Sequence, residues 1–140
     1  MKVCGVDLKG NDAIVCMLSQ SDGLFTIPDC RVQKLSINDA NDKSQLIKFQ
    51  RTFVKLMQDY GVDHVVVRAR AMRGKFAGGA IGFKIETALQ LADELDVIIF
   101  SPTDIKASLK RSPLPVGIED TDLKKFQETA FTTAYAYLNR

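Results

Sequence analysis

A chain of 140 residues, 46% hydrophobic and 26% charged, is long enough to bury a full core without covalent staples, and its composition excludes wholesale disorder. Nineteen basic against seventeen acidic residues leave a net charge of +2, so bulk charge implies no polyanion partner and any such argument has to come from local clustering. No apolar run approaches a membrane span, and three cysteines without CxxC spacing read as reduced thiols of a cytoplasmic protein, not as a disulfide scaffold or a thiolate metal site.

Lys2 to Leu8 and Ala13 to Leu18 are short and valine-rich, and Gly10-Asn11 between them supplies the positive-φ residues of a tight hairpin. Asp7 closes the first of these strands. A carboxylate there either does chemistry at the strand's exposed end or caps the turn through backbone hydrogen bonds. Leu24 to Val32 reads as a third strand, with Pro28 marking an edge position or a bulge. Leu46, Phe49, Phe53, Leu56 and Tyr60 then recur at helical spacing, and Gly61 stops that helix.

Asp63 to Arg68 is the fourth strand, its Val65-Val66-Val67 run suited to a sheet covered on both faces. The next stretch, RARAMRGKFAGGAIGF, is basic and then glycine-rich. It merges into a helix carried by Ile81, Ile85, Ala88, Ala92 and Leu95. Asp96 to Phe100 is the fifth strand. Ser101-Pro102-Thr103-Asp104 announces a capped helix, Arg111 to Gly117 is a loop, and the last helix is expected from about Asp120 to Leu138.

Tight turns make the first three strands antiparallel neighbours, and right-handed crossovers make strands one, four and five parallel. The expected fold is therefore one α/β domain over residues 1–140, a five-stranded mixed sheet of order 3-2-1-4-5 flanked by helices. The carboxyl ends of strands one and four then lie side by side, where open α/β sheets bind ligands.

Arg68, Arg70, Arg73 and Lys75 place four positive charges in eight residues with no acid between them. They read either as a phosphate-tracking loop, with Phe76 stacking on a base, or as a solvated loop. The glycines that follow do not form a Walker A motif and suit close helix packing or phosphate contact. An exposed apolar face on that glycine-rich helix would allow a homodimer.

The strand order with an early Asp is that of the ribonuclease H-like fold. GVDLKGNDAIVCML resembles the opening segment of bacterial Holliday-junction resolvases of the RuvC type and of short RuvC-like proteins. ALQLADELDVIIFSPTDIKASL is similar to the resolvase segment that carries a lysine on its capped helix, where Lys106 falls. The resemblance implies nucleic acid, DNA or RNA and branched DNA among them, as partner. It also implies carboxylates that hold magnesium or manganese to activate water and stabilise the leaving oxygen. Asp7 matches the first ligand. The second, an acid closing the fourth strand, is Arg68 here. The last pair is expected early on the final helix at a spacing of three, from Glu119 and Asp122, from Asp120, or from Glu128. The implied metal set is Asp7, Asp122 and Glu128, with Asp120 a further catalytic candidate.

A guanidinium beside Asp7 is expected to depress its pKa and compete with a metal, since unit charges about 4 Å apart interact by about 4 kcal/mol at an effective dielectric near 20. The leading expectation is a RuvC-like domain that contacts nucleic acid through Arg68, Arg70, Arg73, Lys75, Phe76 and Lys106, with a partly degraded carboxylate site. An active metal-dependent nuclease or resolvase and a non-catalytic protein scaffold are the alternatives.

Overall fold

In the computed structural model, which describes residues 1–140, β1 (Lys2–Lys9) and β2 (Asp12–Ser21) form the opening hairpin, with Gly10 turning at φ 59°. β5 (His64–Arg68) runs parallel to β1, and β6 (Val97–Phe100) runs parallel to β5. The main path of the sheet is β3-β2-β1-β5-β6, the expected order.

The third strand differs from expectation. It is two short segments, β3 (Leu24–Thr26) and β4 (Lys34–Ser36), both antiparallel to β2 and lying in tandem along its edge. The six-stranded sheet is the expected one with its outer strand interrupted around Pro28, which lacks the N–H that a ladder needs.

α1 (Lys43–Asp59) starts at Asp42, whose carboxylate accepts from the Ser44 N–H at 2.9 Å, and Gly61 ends it at φ 64°. α2 (Ala80–Gln90) is shorter than its apolar pattern suggests, and Ala92 and Leu95 lie in the turns beyond it. Its inward row is Gly82, Ile85, Glu86 and Leu89. Ser101 caps α3 (Pro102–Arg111) by accepting from the Asp104 N–H at 3.0 Å.

The final helix, α4, spans Glu128–Leu138 and not the expected 120–138. Side chains compete for the backbone upstream of it. Asp120 accepts from the Gly117 N–H, Thr121 donates to the Ile118 carbonyl, and Gln127 accepts from the Lys124 N–H at 2.9 Å. Two 3-10 turns, Ile118–Asp120 and Lys125–Gln127, result. Buried Gln127 also donates to the Val15 carbonyl at 2.9 Å, which pins the helix start to β2.

Strand alternation divides the core. Cys4, Val6, Val65 and Val67 pack with Phe49, Phe53, Leu56, Ile85 and Leu89 on the α1–α2 side. Val3, Val66, Phe100 and Ile105 pack with Ala130, Phe131 and Ala134 on the α3–α4 side. At Gly5, α4 rests directly on β1: a Cβ there would overlap the Ala130 carbonyl. Asn139 exchanges two amide hydrogen bonds with Gln20 at the far end, so α4 runs antiparallel to β1 with its first turn toward the carboxyl end of that strand.

No helix is long and apolar enough to cross a membrane. His64, which the sequence leaves without an evident partner, pairs through Nδ1 with Asp96 and packs its ring on Tyr137.

Candidate functional site

The rim where β1 and β5 end is the expected ligand side of such a sheet. Asp7 follows Val3 and Gly5 in the row of β1 that faces α4, and Arg68 follows His64 and Val66 in the matching row of β5. Val6 is paired with Val67, so Asp7 and Arg68 come next on neighbouring parallel strands, on the same face. They form no ion pair, and Arg68 acts on Asp7 through space.

The Asp7 carboxyl is half-buried, and its pKa moves opposite to expectation. Burial pushes it up, and the charges of Lys9, Arg68 and Arg70 offset only part of that rise. Desolvation wins because no hydrogen-bond donor reaches the carboxylate to replace lost water.

The loop after β5 is built, not slack. The Ala69 N–H bonds the Phe100 carbonyl at 2.9 Å, the Gly78 N–H bonds the Ala71 carbonyl at 2.9 Å, and Ala71 bridges Ala77. Gly74 turns at φ 98°, a conformation that favours glycine. The tip presents Met72 and Phe76, 82% and 87% exposed, beside exposed Arg73 and Lys75, with the Lys75 ammonium 5.8 Å from the Phe76 ring.

Arg70 departs from the expected row of four exposed cations. Its guanidinium turns inward, 4.3 Å from the centre of the Phe83 ring, into space left by Gly78 and Gly82. A Cβ at either glycine would collide with it. Those glycines therefore admit an arginine, a packing role that their spacing left open. Arg70 Nε and Nη2, and Glu86 Oε1, are buried without hydrogen-bond partners. Burial raises the Glu86 pKa, and Arg70 opposes the rise.

Glu86, the nearest acid downstream of Arg68, reads in the sequence only as a residue well inside the helix, too far along to replace the missing ligand. Its signal was its spacing: four positions after Gly82 and beside Ile85, it belongs to the inward row of α2.

A cleft of about 540 Å³ lies between α3, the 114–118 segment and the first turns of α4. Arg68, Lys106 and Glu128 line it, together with Thr103, Thr129 and Thr132. Thr129 and Thr132 stand early on α4 at the spacing of three where the resemblance implied carboxylates.

Asp120 and Asp122 are elsewhere. They precede α4 and line a second cleft against β2, β3 and the segment around Cys30. Glu128 lines the first cleft and not this one, so the expected set of Asp7, Asp122 and Glu128 is not brought together. No three His, Cys, Asp or Glu side chains are placed to hold one metal ion. The residues at this rim do not fit a carboxylate site for paired magnesium or manganese, because positive side chains and hydroxyls occupy it.

The fold is shared with resolvases. The chain resembles RuvC of Thermus thermophilus at TM-score 0.71 and 11% identity, over 99% of this chain and 93% of that one. It resembles the same organism's RuvC in complex with a Holliday junction substrate at TM-score 0.69 and 12% identity, over 99% and 93%. Fowlpox virus resolvase in complex with Holliday junction DNA follows at TM-score 0.53 and 13% identity, over 99% and 97%. At these identities the likeness establishes the fold, the ribonuclease H-like fold of RuvC. No curated protein matches the sequence. A family model described as "Protein of unknown function (DUF3010)" matches residues 1–137.

Proposed function

The chain belongs to the DUF3010 family, and we propose for it a ribonuclease H-like domain that holds nucleic acid at the sheet rim and has lost most of the carboxylate site that would cleave it. The observation that carries this reading is the braced loop tip, where Met72, Arg73, Lys75 and Phe76 stand in solvent on the loop that follows Arg68, which lines the cleft together with Lys106. Cations spaced along a path contact phosphates, and an exposed aromatic ring offers a stacking surface. The similar resolvase structures contain Holliday junction DNA, which makes branched DNA the first substrate to test.

The lost catalytic site is supported by Arg68 at the end of β5 and Thr129 and Thr132 on α4, where acids were implied, and by the retained Asp7 standing among positive charges. Self-association is part of the reading. Leu46, Phe83 and Ala88 line an open groove between α1 and α2, with Ile47 and Leu91 49% and 72% exposed at its margins. Sedimentation of the wild type against Leu91→Lys measures it, and a dimer that the variant disperses is expected.

The deciding experiment is a salt titration of binding to single-stranded, duplex and four-way DNA. Binding should weaken as salt rises, and replacing Arg73 and Lys75 with alanine should flatten the log–log slope by about 1.5 to 2. No binding at low salt to any substrate would leave a scaffold instead. Incubation with magnesium or manganese should yield no cleavage, and cleavage abolished by Asp7→Asn would overturn the lost-site reading.

A further inference from the structure

The cleft that Arg68 and Lys106 line has more than cations in it: its lining is amphipathic. It is lined by Arg68, Lys106 and Glu128 and by the half-buried apolar side chains of Leu109, Leu114 and Ile118, with buried Phe131. The side chains of Arg68, Lys106, Glu128 and Thr132 form no hydrogen bond or ion pair within the protein, whereas Thr133 is committed to the Thr129 carbonyl. The Arg68 guanidinium reaches solvent and has no acceptor within the protein, and phosphate is an acceptor that its planar fork matches. The volume, about 540 Å³, is within the range of small-molecule sites.

Cleft and loop share a lip. Arg68 lines the cleft and is followed at once by Ala69, whose N–H is tied to Phe100 just ahead of the α3 cap. We propose that the cleft receives one unpaired nucleotide of a strand crossing the loop, its phosphate against Arg68 and Lys106 and its base on the apolar wall. Glu128 is positioned at the same cleft to accept from a base amino or imino group, and it disfavours a bare anion. A base stacked inside a duplex cannot enter, so the ligand class is single-stranded or locally unpaired nucleic acid. This rests on the nucleic-acid reading above and adds to it a preference for unpaired nucleotides.

The test uses the full chain in two measurements. In the first, deoxynucleoside monophosphates, unphosphorylated nucleosides and inorganic phosphate are titrated while backbone amide resonances are followed. Monophosphates should shift Lys106, Thr129 and Thr132 and leave Arg73 and Lys75 in place, with nucleoside or phosphate alone weaker. In the second, Thr132→Phe fills the cleft without changing charge, its folding checked by circular dichroism. It should reduce the preference for single strands over duplex about tenfold or more and leave the salt slope of duplex binding as it was. Inorganic phosphate as effective as the nucleotides, silent cleft amides, or an unchanged strand preference in Thr132→Phe each overturns the proposal. If duplex binding and its salt slope persist in such a case, the nucleic-acid reading stands and only the cleft assignment falls. Absence of binding by every nucleic acid removes both.

Discussion

Asp7 in β1 and Arg68 at the end of β5 lie one residue past the paired Val6 and Val67, on the face that α4 covers. Attraction between unlike charges and desolvation therefore act on one carboxyl, and desolvation is the larger. The native state holds the Asp7 proton to higher pH than the unfolded chain does. The stability that this proton contributes is present below the ordinary carboxylate pKa and is lost as pH rises through the raised value. Asp7→Asn should stabilise the protein near neutral pH by about 0.5–1 kcal/mol, a range reduced because the group keeps part of its hydration. The gain should vanish as the medium is acidified toward the ordinary carboxylate pKa. Urea unfolding at a series of pH values measures it, and a destabilised Asp7→Asn at neutral pH would contradict the balance described.

Arg70 and Arg73 are three residues apart and should behave oppositely. Arg70→Ala removes a desolvated ring contact and leaves Glu86 without its nearest opposing charge. A loss of about 2 kcal/mol of stability is expected. Arg73 is exposed, so Arg73→Ala should stay within about 0.5 kcal/mol while weakening binding to DNA. Gly82→Ala brings a methyl group against the same guanidinium, the movable end of a long side chain, so it should cost less than Arg70→Ala. Thermal melts and binding isotherms on the three variants separate the roles.

Gly5 is the point where β1 meets α4. Gly5→Ala places a methyl group into the Ala130 carbonyl, a backbone atom that cannot rotate away. The helix must lift from the sheet, and a loss of about 3 kcal/mol or more is expected. Equilibrium unfolding would show it as a lower midpoint, and a near-neutral result would mean that α4 does not sit on β1 as described.

Phe76 has almost no packing to lose. Phe76→Ala should leave the melting temperature unchanged and weaken binding to single-stranded DNA by about 5- to 150-fold, the worth of one stacked base. Phe76→Trp, the only tryptophan in the chain, should restore binding and report it by fluorescence quenching.

Local pattern in the sequence determined the strands and helices, the order of the sheet and the place of Asp7 and Arg68 at its rim. Hairpin turns, crossover handedness and alternation are short-range rules, and they fix which residues end adjacent strands and on which face. Pro28 marked the break in the edge strand for the same reason.

Tertiary structure decided what the charged residues do. Arg70 and Arg73 look alike in the sequence, yet one is folded under α2 because two glycines make room for it and the other stands in solvent. Asp120, Asp122 and Glu128 look like one acidic group on one helix. Side-chain competition for the backbone, and the bond from Gln127 to Val15, start α4 late and leave the two aspartates ahead of it, lining a different cleft from Glu128. Periodicity cannot register such effects, because burial, desolvation and side-chain hydrogen bonds depend on neighbours that are remote in the chain.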